Sequence, residues 1–591
     1  MAEKAWSGWS KVSKPLSFVL GVILVLTFIV ATVGAVRATS GSSTTFILGT
    51  SEDELITNLN PLTNTGLGGD ISGIIYSTTL AYEFTNGTVI PWLAQNWSIT
   101  NGGKTITFNL VSNAYWMNGT SKSSQITSQD VVYTFQAIMA NKTLDKNNID
   151  PYIANITAPS KYTVQFELKR PSNVIFYYLA GQIIIPHAWS TYESNVSNIG
   201  NYYNMNIGHE LSSGPMILKS VSGSVITLVA NPYFFKGAPH FSTEVIELFK
   251  SSSSMISALQ TGQIDATYVT PRSLYTALKS MPGIKPVAYK DTFTLALWYD
   301  DNVAPFNNTN FRIGLDHAIN KTKILNVAED GAGGRASTGG LPWTLSAFYN
   351  KTLPYYAYNV TAANQYFVKA GLHISSNGFW AYPNGTTVQI RLVEGPIADW
   401  DVAASTIQQE LSADHFSVVY SIVPLQVWLS ETLLSPSFNF ASYFNFGPLF
   451  GNAWYALHAA FSYGGLWNFE HFNNQTVNLL LNQSSVYPPD SYALNTTLNK
   501  VQGIISQQLP FIPLVGADVL FAYRPSAISG FYPNVQTISP LDSLYAHPVS
   551  SKSGTSSSPS ALIYEGIGIT VIVALIAVAV VVHSRKKSRK K

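Results

Sequence analysis

Short strand and helix periods interleave along a middle region that is bracketed by two long apolar runs. Residues 45–49 read as a first strand, and the turn-rich stretch 58–69 feeds a helix expected over 71–82. Trp97 and Ile99 alternate before Asn101-Gly102-Gly103, and Ile106, Phe108 and Leu110 alternate after it, the pattern of a β-hairpin. Thr127 and Asp130 have capping-box spacing, and Val131, Val132, Phe135, Ile138 and Met139 continue at the helical period. Residues 164–168 and 225–230 alternate as strands. Residues 255–260 form a short helix closed by Gly262, with a strand over 264–269. Longer helices are predicted from Asn310 to about Asp330, ended by Gly331, and from Asn359 to Lys369, ended by Gly371. The interleaving makes the fold class α/β.

The two apolar runs change the picture from a globule to a tethered one. Lys4, Lys11 and Lys14 precede an uncharged run over 16–36, and Val33, Ala35 and Ala38 suit a signal-peptidase site, so 1–38 reads as a signal peptide or N-terminal anchor. Near the other end, 561–582 reads as a transmembrane helix followed by the basic tail 583–591, which the positive-inside rule places in the cytoplasm. The middle, 39–547, is then extracytoplasmic, joined to the second helix by a Ser/Thr-rich linker over 548–560 that cannot bury a core. About fourteen Asn-x-Ser/Thr sequons, among them Asn86, Asn118, Asn155, Asn195, Asn384 and Asn495, suit a glycoprotein facing outward.

Composition narrows the chemistry. The chain has 591 residues, 46% hydrophobic and 13% aromatic, enough for a large core. Only 11% are charged, 34 basic against 32 acidic, so no basic field exists to draw nucleic acid. Low charge also keeps net charge insensitive to pH, which suits an acidic exterior. Cysteine is absent, which excludes disulfides, thiolate metal sites and cysteine nucleophiles. The ten histidines are scattered without ligand spacing, so no metal and no cofactor is expected. No serine-hydrolase, zincin or P-loop motif occurs. Residues 331–340 (GAGGRASTGG) lack the P-loop lysine and read as a mobile loop, so the chain is expected not to be an enzyme.

One ordered set of motifs goes further. It runs Leu59-Asn60-Pro61-Leu62, Ile90 to Trp97 (IPWLAQNW), the hairpin, Trp116 to Gly119, Gln129 to Phe135 (QDVVYTF), Ser213-Gly214-Pro215-Met216, Leu228 to Tyr233 (LVANPY), Ala258 to Asp265 (ALQTGQID), Phe311 to Asn320 (FRIGLDHAIN), Ala362 to Gly371 (AANQYFVKAG) and Leu509 to Leu514 (LPFIPL). The series resembles the family 5 extracytoplasmic solute-binding proteins that serve oligopeptide, dipeptide, nickel and some oligosaccharide ABC importers, in an archaeal-type, membrane-anchored form. The resemblance implies a two-lobed periplasmic-binding-protein-like (type II) fold with an additional domain. Lobe I is expected over about 44–83, 206–290 and 511–547, the additional domain over 84–205, and lobe II over 291–510. It also implies a monomer that closes on a solute and delivers it to membrane permease subunits. Trp92, Trp97, Asp130 and Asp265 are expected to serve packing, capping and backbone satisfaction, not ligand.

Ligand identity is expected in lobe II. Peptide binders of the family carry an acidic Asp-Tyr-Pro-Asp-Pro-like motif where residues 438–454 here read FNFASYFNFGPLFGNAW, without Asp or Glu. The resemblance therefore implies that the usual anchor for a peptide's ammonium group is missing from that stretch. Candidate ligand-binding residues are Trp343, Trp400, Tyr443, Asn445, Trp454 and Trp467, with Phe446, Asn452 and Asn468 nearby. Flat aromatic faces with amide side chains suit an uncharged sugar, and a peptide held without the acidic anchor is the alternative. Two further readings are a tethered glycosidase using Glu394, Asp399 or Asp401, and a surface-layer or adhesion protein.

Overall fold

A computed structural model describes residues 44–549, apart from internal stretches of which 52–57, 203–210, 447–451 and 532–538 are the longest. Both apolar segments, the linker beyond Val549 and the basic tail lie outside the described residues. Among the described residues, no helix is long and apolar enough to cross a membrane.

Eleven strands form one mixed sheet: β1 (Thr45–Thr50), β2 (Met216–Ser222), β3 (Val225–Ala230), β4 (Thr243–Leu248), β5 (Ala266–Thr270), β6 (Lys285–Tyr299), β7 (Gly333–Arg335), β8 (Gln389–Glu394), β9 (Ser417–Ile422), β10 (Ala441–Phe446) and β11 (Ile512–Tyr523). Their spatial order is β2-β3-β4-β1-β5-β11-β6-β10-β8-β9, with β7 alongside β11. The long antiparallel pair β6 and β11 joins two half-sheets. The start of β6, Lys285 to Lys290, pairs with Asp518 to Tyr523, which also borders β5, whereas Thr294 to Tyr299 pairs with β10. Each half contains parallel strands, β1 with β4 and β5 on one side and β8 with β9 and β10 on the other. One core cluster, with Leu297, Tyr299, Phe311, Phe367, Trp380 and Phe416, lies on the β8–β10 side. A larger one runs from Phe46 and Leu48 through the region 84–205 to the helices Ala453–Phe461 and Tyr492–Gln508.

The region 84–205 carries its own four-stranded antiparallel sheet, including the expected hairpin of Ala94–Thr100 with Thr105–Leu110. The helix Ser128–Ala140 starts at the Thr127/Asp130 capping box. Two motifs have plain packing reasons. Trp92 is buried and its indole Nε1 donates to the Ser77 carbonyl at 2.9 Å. Gly214 sits where any side chain would overlap the Ile74 carbonyl.

Three expectations are corrected. The first helix spans Gly66–Tyr76, ending where Ser77 turns left-handed (φ 47°), and Ala81–Glu83 is a strand. The helix expected to run from Asn310 to Asp330 is two, Thr309–Ala318 and Lys321–Ala328, because Ile319 is extended and the Asn320 side chain accepts from the Lys323 N–H to start the second. The glycine-rich stretch 331–340 is not a loose loop: β7 pairs with β11, and a Cβ on Gly333 would lie 2.6 Å from the Gly516 carbonyl.

Candidate functional site

Parallel strands deliver their carboxyl ends to a common edge, and in open α/β sheets that edge is where ligands bind. Here two such edges approach the crossing strands from opposite halves. On one side β5 ends at Thr270, opposite Leu520 of β11; on the other β10 ends at Phe446, opposite Thr294 of β6, which itself pairs with Gly516 of β11. The space between Gly516 and Leu520 is therefore flanked by both sets of strand ends.

The wall on the β5 side is held by charged and hydroxyl groups. Tyr268 Oη donates to Asp70 Oδ2 at 3.1 Å, and the Thr267 and Thr270 hydroxyls share a hydrogen bond of 2.9 Å. Just beyond the strand, Arg272 Nε donates to the Asp518 carbonyl at 2.6 Å, while its Nη1 lies 3.3 Å from Oε2 of the buried Glu329. The guanidinium ties the two halves together at the crossing.

The wall on the β8–β10 side is aromatic with a carboxylate behind it. Trp428 Nε1 donates to Ser442 Oγ at 2.8 Å, and Ser442 Oγ lies 3.1 Å from Glu394 Oε2. An indole N–H can only donate, so the Ser442 hydroxyl accepts from it and donates its own hydrogen bond to the carboxylate. Glu394 is the last residue of β8 and is fully buried; Ser442 lies in the neighbouring β10. Trp400, partly exposed on the helix Ala398–Ala413 that follows β8, meets Trp428 in a tilted pair with ring centroids 5.5 Å apart. Tyr420 Oη donates to Asp401 Oδ1 at 3.2 Å; burial first, and then the charges of Asp401 and Glu394, push its hydroxyl well above the usual tyrosine range.

Of the residues expected to touch ligand, Trp400 stands on this wall. The backbones of Tyr443 and Asn445 lie in β10, opposite Leu297 and Leu295, but their side chains and the whole of Trp343 lie outside the described residues. Trp454 is corrected. It is 5% exposed in the helix Ala453–Phe461, its Nε1 donates to the Leu481 carbonyl at 2.9 Å, and its ring stacks on His458 at 4.5 Å. A tryptophan whose single donor is spent on a neighbouring helix serves the core. Trp467 is partly buried and meets Tyr455 edge-on at 5.7 Å, and Tyr455 in turn meets Tyr178 of the 84–205 region. The amides of Asn452 and Asn468 are also committed, the first to the Tyr455 N–H and the Asn173 carbonyl, the second to backbone groups of Ser462 and Phe472. Trp428 and Ser442 escaped the sequence reading, and Glu394 entered it only as a possible glycosidase acid. The one local signal for Glu394 was its place at the end of a strand. Among the described residues no group of three or more histidine or acidic side chains is placed to hold a metal ion.

Residues 88–465 match the family model described as bacterial extracellular solute-binding proteins, family 5 Middle. The nickel-binding periplasmic protein of Escherichia coli is 24% identical over 329 residues, 54% of this chain and 60% of that protein. The probable D,D-dipeptide-binding periplasmic protein of the same organism is 25% identical over 277 residues, 46% of this chain and 51% of that protein. Heme-binding protein A of Haemophilus influenzae is 22% identical over 520 residues, 81% and 87% of the two chains. The chain thus spans only 51% to 60% of the length of the first two relatives. Among solved structures, the oligopeptide-binding protein of Bacillus subtilis in complex with a nonapeptide superposes with a TM-score of 0.67 at 17% identity, covering 86% of this chain and all of that one. HbpA2 of Haemophilus parasuis gives 0.71 at 17% identity with the same coverage. These likenesses establish the fold.

Proposed function

The chain belongs to the family 5 extracellular solute-binding proteins, and from that premise we propose that it is the extracytoplasmic solute-binding component of an ABC importer, closing two lobes on a small solute and presenting it to membrane permease subunits. In this reading lobe I comprises about 44–83, 206–290 and 511–547, lobe II 291–510 and the additional domain 84–205. The apolar 561–582 segment with its basic tail anchors the protein by its C-terminus, the N-terminal run serves export, and the protein acts as a monomer without catalysing a reaction.

The observation that carries the reading is the convergence of both sets of parallel-strand ends on the β6/β11 crossing. A ligand lying there touches both half-sheets, so its binding energy favours the closed arrangement over the open one. Closure excludes water and strengthens each polar contact to the solute.

For the solute we favour a short peptide or a similar amine-bearing molecule. The Glu394 carboxylate stands behind Ser442 at the end of β8, supplying from the adjacent strand the negative charge that residues 438–454 lack. Relatives named for dipeptide and peptide binding agree with this preference. The half-open Trp400/Trp428 pair favours the second reading, an uncharged oligosaccharide stacked on indole. Thermal-shift screening of the purified protein against short peptides and oligosaccharides, followed by calorimetry, separates the two. A ligand at 100 times its dissociation constant stabilises by about 2.7 kcal/mol. Peptide hits support the carboxylate reading, sugar hits the stacking one, and no stabilisation by any solute would overturn solute capture.

A further inference from the structure

Fourteen of the forty-two asparagines are followed two residues later by serine or threonine with no intervening proline, whereas 111 serines and threonines in 591 residues predict about eight by chance. Their distribution is uneven. None precedes Asn86, none lies between Asn195 and Asn307, and none follows Asn495. In sequence these are three unrelated gaps. In the fold they coincide, because β1, β2 to β5 and the second half of β11 assemble into one half-sheet. That half also holds the last described residues: Ile528–Ser529 pairs with His547–Pro548, and the Val549 N–H donates to the Ala527 carbonyl.

Burial follows the same logic. Of the thirteen sequon asparagines among the described residues none is buried, and eight are exposed: Asn96, Asn118, Asn155, Asn195, Asn307, Asn359, Asn384 and Asn482. Outside sequons the placement is mixed: Asn60, Asn173, Asn231 and Asn452 are buried, whereas Asn101, Asn113, Asn302 and Asn439 are exposed. A glycan is attached through Nδ2 and needs open space around it, so an exposed asparagine in a turn is the competent geometry. Asn118 ends the strand Tyr115–Asn118 at a hairpin turn. Asn195 and Asn384 accept from the backbone N–H of Ser197 and Thr386, respectively, through Oδ1, which leaves the amide nitrogen on the other side of the group. At Asn141, Asn474 and Asn495, by contrast, Nδ2 itself donates, to the Ser197 carbonyl, Gln508 Oε1 and the Ala347 carbonyl.

We propose that the protein carries N-linked glycans on the 84–205 region and on the 307–495 region, with Asn118, Asn195 and Asn384 the principal sites, and that the half-sheet from which the tether leaves is bare. On the C-terminal anchoring proposed above, the bare half is the one that carries the last residues before the tether, where bulky glycans would obstruct contact with another protein.

Site-resolved mass spectrometry of the protein recovered from its own membrane tests this. Glycopeptides are expected at Asn118, Asn195 and Asn384 in most molecules, with the lowest occupancy at Asn141, Asn474 and Asn495, and peptides covering 211–300 and 511–549 are expected at unmodified mass. A protein whose intact mass equals that of its polypeptide would overturn the proposal, and so would glycans attached within the bare half. The triple variant N118Q/N195Q/N384Q should lose three glycan masses while its thermal midpoint shift with ligand stays that of the parent. A variant that kept the parent's full glycan mass would equally overturn the assignment, and neither result depends on which solute the cleft takes.

Discussion

Two regions of the molecule pair a tryptophan with a buried carboxylate, and they do so to different ends. In the 84–205 region, Trp116 Nε1 donates to Asp130 Oδ1 at 3.0 Å, and the same carboxylate accepts from the His187 N–H at 2.8 Å and the Thr127 N–H at 2.7 Å. Backbone donors from a turn and a helix start meet there, so removing the acid strands them in the core. On the β8–β10 wall, Glu394 is reached by Trp428 only through the Ser442 hydroxyl, at the ends of strands that face the crossing. The first carboxylate holds backbone in place, whereas the second belongs to a chain of side chains ending at a partly exposed indole.

The largest effect is expected at Trp454. W454A should cost about 3–5 kcal/mol of stability by opening a cavity, with ligand affinity intact; a loss of affinity instead would return Trp454 to the ligand site. D130A should destabilise the protein by about 2–4 kcal/mol, since two part-buried backbone donors and a buried indole lose their acceptor. Urea unfolding measures it, and the ligand affinity of the protein that remains folded should be unchanged. W400A should weaken ligand binding by about 1–3 kcal/mol in calorimetry with little change in melting temperature. E394Q should weaken a peptide ligand by about 1.5–3 kcal/mol and leave an oligosaccharide unaffected, which makes it the sharpest test between the two solute classes.

The smallest effect is a pH dependence shared by carboxyls that neither region uses. Burial raises Glu244 from its ordinary value near 4.5 to about 7, with the Ser543 hydroxyl lowering it in part, and burial also raises the neighbouring Asp542. An acid raised on folding binds more protons in the native state, so its contribution is fully present below about pH 4.5 and is lost as pH rises through about 7. Thermal melts between pH 4 and 8 should therefore show higher stability on the acid side, and E244Q should flatten that slope. A parent protein that gained stability towards pH 8 would refute the assignment and the acidic exterior together.

What the sequence made legible was local. The Thr127/Asp130 box, the glycine stop at Gly262 and the hairpin around Asn101-Gly102-Gly103 each depend on residues a few positions apart, and each forms as the pattern predicts. The break at Asn320 was missed because apolar periodicity continues across it while the asparagine side chain starts a new helix. The candidate site was less legible still. Glu394 and Ser442 are 48 residues apart and meet only because β8 lies beside β10. Trp400 and Trp454 look alike in sequence, and only the packing of the helix Ala453–Phe461 against Leu481 separates core from wall.

The position of β11 in the sheet has a consequence for how the chain is made. Its neighbours β5 and β6 are complete long before it is; the Thr267 hydroxyl hydrogen-bonds the Ala522 carbonyl across 255 residues of chain. Until that last strand emerges, β5 and β6 present two open edges that can pair with any passing strand. Sheet closure across so large a separation is slow, because the entropy of closing the loop is spent before the contacts form. Folding must therefore keep some 500 residues from settling on a substitute partner, and a chain that ends before Ile512 leaves both edges open.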